Sequence, residues 1–276
     1  MSGPSPNATR IVQPDLPQLL VIVLITAVGS AMNSIAGGGT LLTFPALVAL
    51  GVPGLVANAT STVALLPGAV GAFLGYRGAL EGAKDWAIRF AIPSLLGGVV
   101  GAILVMLTPA ERFDALVPWL VLGATTLFII QRPAMRLLRS HTPAPVTSAT
   151  GDPAIPGAPF ALLAAQFLIG VYGGYFGAGM GILMLAALGF MGFTNIHRMN
   201  GLKALGGTCA NLMAAAAFAL SDLVNWPIAG AMMVGAIVGG YGGSRLAQRV
   251  SQEWVRRTII MIGLASGIWM LARGMN

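Results

Sequence analysis

Asn33-Ser34-Ile35-Ala36-Gly37-Gly38-Gly39-Thr40, followed at once by Leu41-Leu42-Thr43-Phe44-Pro45, decides how this chain is read. Three consecutive glycines interrupt a strongly apolar stretch. In a soluble protein such a run would suggest a phosphate-binding loop. Here the flanks are apolar on both sides for about the length that crosses a bilayer as a helix, ~20 residues. A looser copy, Gly170-Val171-Tyr172-Gly173-Gly174-Tyr175-Phe176-Gly177-Ala178-Gly179-Met180-Gly181, recurs in the second half of the chain.

Composition agrees with the flanks. Of 276 residues, 56% are hydrophobic and 8% charged, whereas a soluble domain carries about 25% charged residues. So little charge cannot cover a water-facing surface. The apolar runs lack the period-two alternation of membrane strands and are too long for them. The expected fold is therefore an all-α polytopic membrane protein in the lipid bilayer. The net charge of +7 is dispersed among loops, as on cytoplasmic flanks, and does not point to nucleic acid. A single cysteine, Cys209, excludes an intrachain disulfide and a cysteine metal cluster. Residues 1–17 read as a polar tail with no cleavable signal peptide.

Ten apolar segments follow, at about 18–35, 39–52, 55–76, 87–107 and 115–131, then 159–176, 181–194, 197–220, 227–244 and 257–272. The organisation expected is a first membrane repeat over 18–131, a proline-rich cytoplasmic linker over 132–158 and a second repeat over 159–273. Gly39 matches Gly181, Asn58 matches Asn200, Pro67 matches Cys209, and Gly97-Gly98 match Gly239-Gly240, all at one offset of 142 residues. Asn33 has no clear twin. Corresponding loops carry opposite charge. Arg77, Lys84 and Arg89 outweigh Glu81 and Asp85, whereas the matching loop holds Asp222 alone. Glu111 and Asp114 outweigh Arg112, whereas its match holds four arginines against Glu253. Because Lys and Arg favour the cytoplasmic side, two inverted repeats of five segments are expected, with both termini outside. The short second segment of each half implies a broken or re-entrant helix. If those hairpins re-enter, an even count would make the copies parallel. Inverted repeats with interrupted helices are a plan of secondary transporters, with the site between the repeats.

The glycine breaks are the first candidate substrate site: Asn33, Gly37, Gly38, Gly39 and Thr40, then Gly177, Gly179 and Gly181. Irregular backbone at membrane depth is tolerated only against protein or a water-filled cavity, and a restarting helix offers N–H donors to an anion. Close helix packing through small residues is the competing reading. Asn58, Thr60, Ser61 and Thr62 form a second candidate, since hydroxyls and amides can donate to an oxyanion. N-capping or interhelical bonding is the bland alternative. Asn200, Lys203, Thr208 and Asn211 form the third. A lysine one turn into an apolar segment usually faces the bundle interior or an aqueous cavity, unless its methylenes carry it to the interface. Arg198, nearer the loop, reads as an orientation charge.

What is missing narrows the function. All eight carboxylates fall in loops or at segment ends, so an acidic proton relay or cation site is not expected. His141 and His197 make no metal triad. No nucleotide motif, cofactor site or catalytic constellation is present, so an enzyme is not expected. Active transport would need an ion gradient or a separate partner.

The pattern Asn33-x-x-Ala36-Gly37-Gly38-Gly39-Thr40, then Pro45 and Ala59-Thr60-Ser61, resembles the sulfite exporter TauE/SafE family. So do Met199-Asn200-Gly201-Leu202-Lys203 with Asn211, Val224-Asn225-Trp226, and Gly235-x-x-x-Gly239-Gly240-x-x-Gly243-x-x-Leu246-Ala247. The resemblance spans about 18–272 outside the linker. It departs from the usual Ala-Leu-Lys-Asn at Gly201 and Ala204, which keeps the lysine but leaves the anion open. The resemblance implies an inner-membrane permease for sulfite, sulfoacetate or a related organosulfur anion. Together with the residues, it leads to an expected secondary transporter of a small sulfur oxyanion or organosulfonate. It would work by alternating access of one repeat against the other, with a proton gradient as one available driving force. A facilitative anion channel or pore is the alternative.

Overall fold

The computed structural model describes residues 14–36, 38–141, 160–193, 195–246 and 252–274. They form ten α-helices: α1 (Leu16–Ala36), α2 (Thr40–Ala49), α3 (Gly54–Tyr76), α4 (Lys84–Met106), α5 (Ala110–His141), α6 (Phe160–Tyr175), α7 (Met180–Phe190), α8 (Ile196–Ala219), α9 (Trp226–Leu246) and α10 (Gln252–Gly274). A 3-10 turn at Arg77–Leu80 joins α3 to α4. Each apolar segment of the sequence becomes one helix, because hydrocarbon offers the backbone no hydrogen-bond partner but itself. Six helices are long and apolar enough to cross a bilayer, and four shorter apolar helices accompany them. Large side chains such as Leu24, Leu96, Val238 and Trp254 face outward, as a lipid-facing surface requires. The chain is a polytopic helical membrane protein.

One boundary differs from expectation. α5 continues to His141, through residues placed by the sequence in the linker. Hydropathy ends near 131, but a helix leaving the bilayer keeps its internal hydrogen bonds. Ala134, Met135, Leu137 and Leu138 are good helix formers. The rest of the linker, 142–158, lies outside the described residues.

Glycines set the tightest helix contacts. Gly235 and Gly239 of α9 press against the backbone of Val23 and Ala27 in α1. Gly97 and Gly101 of α4 press against Phe167 and Val171 in α6 in the same way. A Cβ at any of the four would collide with the partner's backbone. Contacts advance in one direction along both members of each pair, so α1 runs parallel to α9 and α4 parallel to α6. Gly98 meets Ala210 and Ser94 meets Gly206, so α4 is also parallel to α8. In contrast, α3 and α8 are antiparallel. Gly201 sits beside Tyr76 and Leu80, Thr208 Oγ1 donates to Ala69 O at 3.1 Å, and the Asn225 N–H beyond α8 donates to Thr60 Oγ1 at 3.0 Å. α5 and α10 are antiparallel too: Arg256 donates to Phe128 O and Ile129 O, Gly263 meets Thr125 and Gly267 meets Leu122.

α2 folds back along α1. Gly39 packs against Gly29. Gly38 lies beside Ile259 near the start of α10, whereas Val48 shares a hollow with Trp269 and Met270 near its end. Two apolar cores support this frame. The larger contains Phe44, Phe113, Phe128, Phe176 and Phe218, with Phe44 and Phe176 edge to face at 5.2 Å. The smaller contains Phe90, Met184, Leu188, Phe193 and Leu202.

Candidate functional site

Both glycine breaks open onto one cavity of about 670 Å³. The first break reaches it through Gly38 and Thr40, the second through Gly177, Gly179 and Gly181. Positive φ at Gly38 (97°), Gly177 (78°) and Gly179 (77°) bends the chain there, which a side-chain-bearing residue resists. The end of α1 adds Ser30 and Asn33, and α9 adds Ala236, Gly240 and Tyr241. The second half of α3 contributes Gly68, Gly71, Gly75 and Tyr76, and α8 contributes Lys203, Gly207, Thr208 and Asn211.

Lys203 dominates the electrostatics. Its methylenes lie over Gly181, where a Cβ would touch them. The second break is thus shaped to the lysine stem. No hydrogen bond or ion pair engages Lys203 among the described residues, and no carboxylate lines the cavity. Nor do the N–H groups of Gly179 and Gly181 find a partner among the described residues. The first break is more occupied. Asn33 Oδ1 accepts from the N–H groups of Gly38 at 3.2 Å and Gly39 at 3.5 Å. At the second break the tie is different, since the Tyr172 hydroxyl donates to Ala178 O at 2.5 Å. The wall therefore offers a cation, unpaired N–H donors and the Asn211 amide. That set suits an oxyanion.

Nine of the residues singled out in the sequence line this cavity: Asn33, Gly38, Thr40, Gly177, Gly179, Gly181, Lys203, Thr208 and Asn211. Gly39 does not; it is spent on contact with α1. Gly37 lies outside the described residues. Asn200 is half-buried but off the wall. The cluster of Asn58, Thr60, Ser61 and Thr62 is also off the wall. Asn58 Nδ2 donates to Tyr175 O at 2.9 Å, Thr60 holds the start of α9 through the Asn225 N–H, and Thr62 Oγ1 donates to Asn58 O at 2.9 Å. Ser61 is buried without a partner. Arg198 is buried and bonds Ala79 O and Glu81 O, which locks α8 to the turn after α3. Asn195 caps α8 by accepting from the N–H groups of His197 and Arg198.

The sequence reading missed the contribution of the second half of α3. Gly68, Gly71 and Gly75 recur at spacings of three and four, which places them on one helix face. That pattern was the available signal, and it resembled ordinary small-residue packing.

Comparison with known proteins adds the family. Residues 21–270 match the model of the family described as sulfite exporter TauE/SafE. The chain is 29% identical to a probable membrane transporter protein, YfcA, of Escherichia coli K12, over 93% of this chain and 90% of that one. It is 27% identical to a probable membrane transporter protein of Haemophilus influenzae, covering 88% and 91%. A probable membrane transporter protein of Xylella fastidiosa Temecula1 is 31% identical, covering 89% and 92%. No solved structure matches.

Proposed function

We propose that this chain, which belongs to the sulfite exporter TauE/SafE family of membrane transporters, is a secondary transporter for a small anion, sulfite or an organosulfonate, working by alternating access. As a member of a transporter family it is not an enzyme, and among the described residues no group of side chains could hold a metal ion. The observation that carries the anion reading is Lys203, a cation with no counter-ion among the described residues, on a cavity wall whose described residues include no carboxylate. A charge kept at membrane depth is costly unless it lines an aqueous path or meets a partner.

The packing directions support two inverted repeats. Under an exchange of the halves, α3 pairs with α8 and α5 with α10, and both pairs run antiparallel. The contact of α1 with α9 becomes that of α6 with α4, and the contact of α4 with α8 becomes that of α9 with α3. α2 folds back along α1, which supports alternation through five helices and with it the inversion. The cavity lies towards Tyr76 and Tyr241, ends that lead into loops rich in Lys and Arg. Positive residues favour the cytoplasm, so this is the inward-open state, with both termini outside. The tight pairs α1–α9 and α4–α6 each join one half to the other. The moving bodies are therefore mixed sets of helices and not the halves divided by the linker.

The full burial of Ala214 and Phe218, beyond Asn211 on α8, supports alternating access over an open pore. Sulfite, the base of a weak acid, can itself carry a coupled proton, whereas a sulfonate, the base of a strong acid, cannot. The test is uptake of labelled sulfite, sulfoacetate and taurine into reconstituted vesicles, with and without a pH gradient. Lys203→Ala should lose uptake while reaching the membrane in normal amounts. Equal uptake by that variant would remove the anion site. Flux without counterflow would make the protein a facilitative pore.

A further inference from the structure

The face of α3 that lines the cavity does not stop at the cavity. Gly68, Ala72 and Gly75 lie on one stripe, and helical spacing carries that stripe back to Ser61. Ser61 is 2% exposed, and its hydroxyl has no partner among the described residues. This is unusual within the same fold. Thr62, Ser94 and Thr125 each donate to the carbonyl four residues earlier, the ordinary way a helical hydroxyl satisfies itself. At the repeat offset the counterpart of Ser61 is Lys203. On α8 the cavity face likewise continues beyond Asn211 to Ala214 and Phe218, both fully buried.

A compact seal covers this continuation. Asn58, one turn before Ser61, donates to Tyr175 O at 2.9 Å. The Tyr175 ring leans on Phe113 at 5.9 Å between centroids. Its hydroxyl lies 3.4 Å from Thr108 Oγ1. The seal thus joins α3 to the end of α6 and to the turn between α4 and α5.

We infer that Ser61 is a second anion contact, hidden in this state, and that the Asn58–Tyr175 link is the latch covering it. This rests on the alternating-access reading above. Exchanging the halves puts Ser61 where Lys203 now stands, on the wall of a cavity open to the opposite face. The hydroxyl then donates to a sulfite or sulfonate oxygen. The two contacts differ in strength: an ammonium holds an anion more firmly than a neutral hydroxyl. Affinity is accordingly tighter on the Lys203 side, and release is easier towards the Ser61 side.

Labelling from each membrane face tests this. In a Cys209→Ala background, Ser61→Cys and the cavity-wall variant Gly71→Cys are exposed to a membrane-impermeant, charged methanethiosulfonate in vesicles of either orientation. Gly71→Cys should react from the face on which the cavity lies. Ser61→Cys should react faster from the opposite face. Adding Asn58→Ala should raise that rate ~5-fold, the shift expected from one lost hydrogen bond. Tyr175→Phe, which removes the hydroxyl contact, serves if Asn58→Ala does not reach the membrane. Faster reaction of Ser61→Cys from the cavity's own face overturns the inference. So does silence from both faces while Gly71→Cys reacts and labelled sulfite crosses the parent protein. Opposite-face labelling without any sulfite flux overturns the choice of substrate and leaves the latch standing.

Discussion

The end of α3 and its counterpart beyond Asn211 on α8 occupy equivalent places in the two repeats proposed here, yet one faces a hollow and the other a packed interior. α3 presents Gly68, Gly71, Gly75 and Tyr76 to the cavity. At the same offset α8 carries Ala210, Met213, Ala217 and Phe218. Ala210 and Phe218 are fully buried, and Ala210 sits against Gly98. A shared backbone plan therefore does not decide which side stands open. The side chains decide it: glycine leaves a volume on one helix that alanine, methionine and phenylalanine fill on the other. The two breaks show the same divergence. Asn33 accepts from glycine N–H groups at the first, whereas Tyr172 donates to a carbonyl at the second, so the second keeps its N–H donors for a guest.

The largest effect should come from attacking what the halves share. Gly101→Leu drives a side chain into the backbone of α6, which cannot recede without separating the helices. Little folded protein should survive, read as membrane abundance and as a monodisperse peak in detergent. Next comes the feature that most separates the halves. Lys203→Ala should cut anion uptake by roughly 10- to 100-fold, the value of one lost charge-assisted contact, with abundance unchanged. Lys203→Arg should rescue part of the loss. Making the halves alike is a milder intervention. Gly71→Met copies Met213 onto α3, where a Cβ meets open space. The variant should fold normally and transport about 10-fold less, a tenfold loss being ~1.4 kcal/mol, because it occupies the substrate volume. The smallest effect compares the two ties. Asn33→Ala and Tyr172→Phe should each cost about 1 kcal/mol of stability, read as a small fall in the melting temperature. Only Asn33→Ala frees two N–H groups at the first break, so it alone should alter anion affinity.

Helix number and order were legible in the sequence because the bilayer imposes a simple rule. A segment long and apolar enough for hydrocarbon must be helical there. The rule lapses outside the membrane, which is why α5 ran past its expected end. The site was less legible. Lys203 announced itself by cost, as a charge in an apolar segment. Asn58 and Thr60 announced themselves equally by polarity, yet they serve helix contacts in this state. Polarity marks a face that cannot meet lipid; it does not distinguish an open path from a closed one. Gly68, Gly71 and Gly75 carried no polarity at all, and their spacing is shared with ordinary packing stripes such as Gly97 and Gly101.

The pairing of α1 with α9 has a consequence for how the protein is made. α1 leaves the ribosome well before α9, and the surface that receives Gly235 and Gly239 stays uncovered until α9 has been synthesised. For that interval the first helix must rest in lipid, or against a temporary companion in the insertion machinery. A chain halted before α9 would then be recognisable to quality control by one unpaired face of α1.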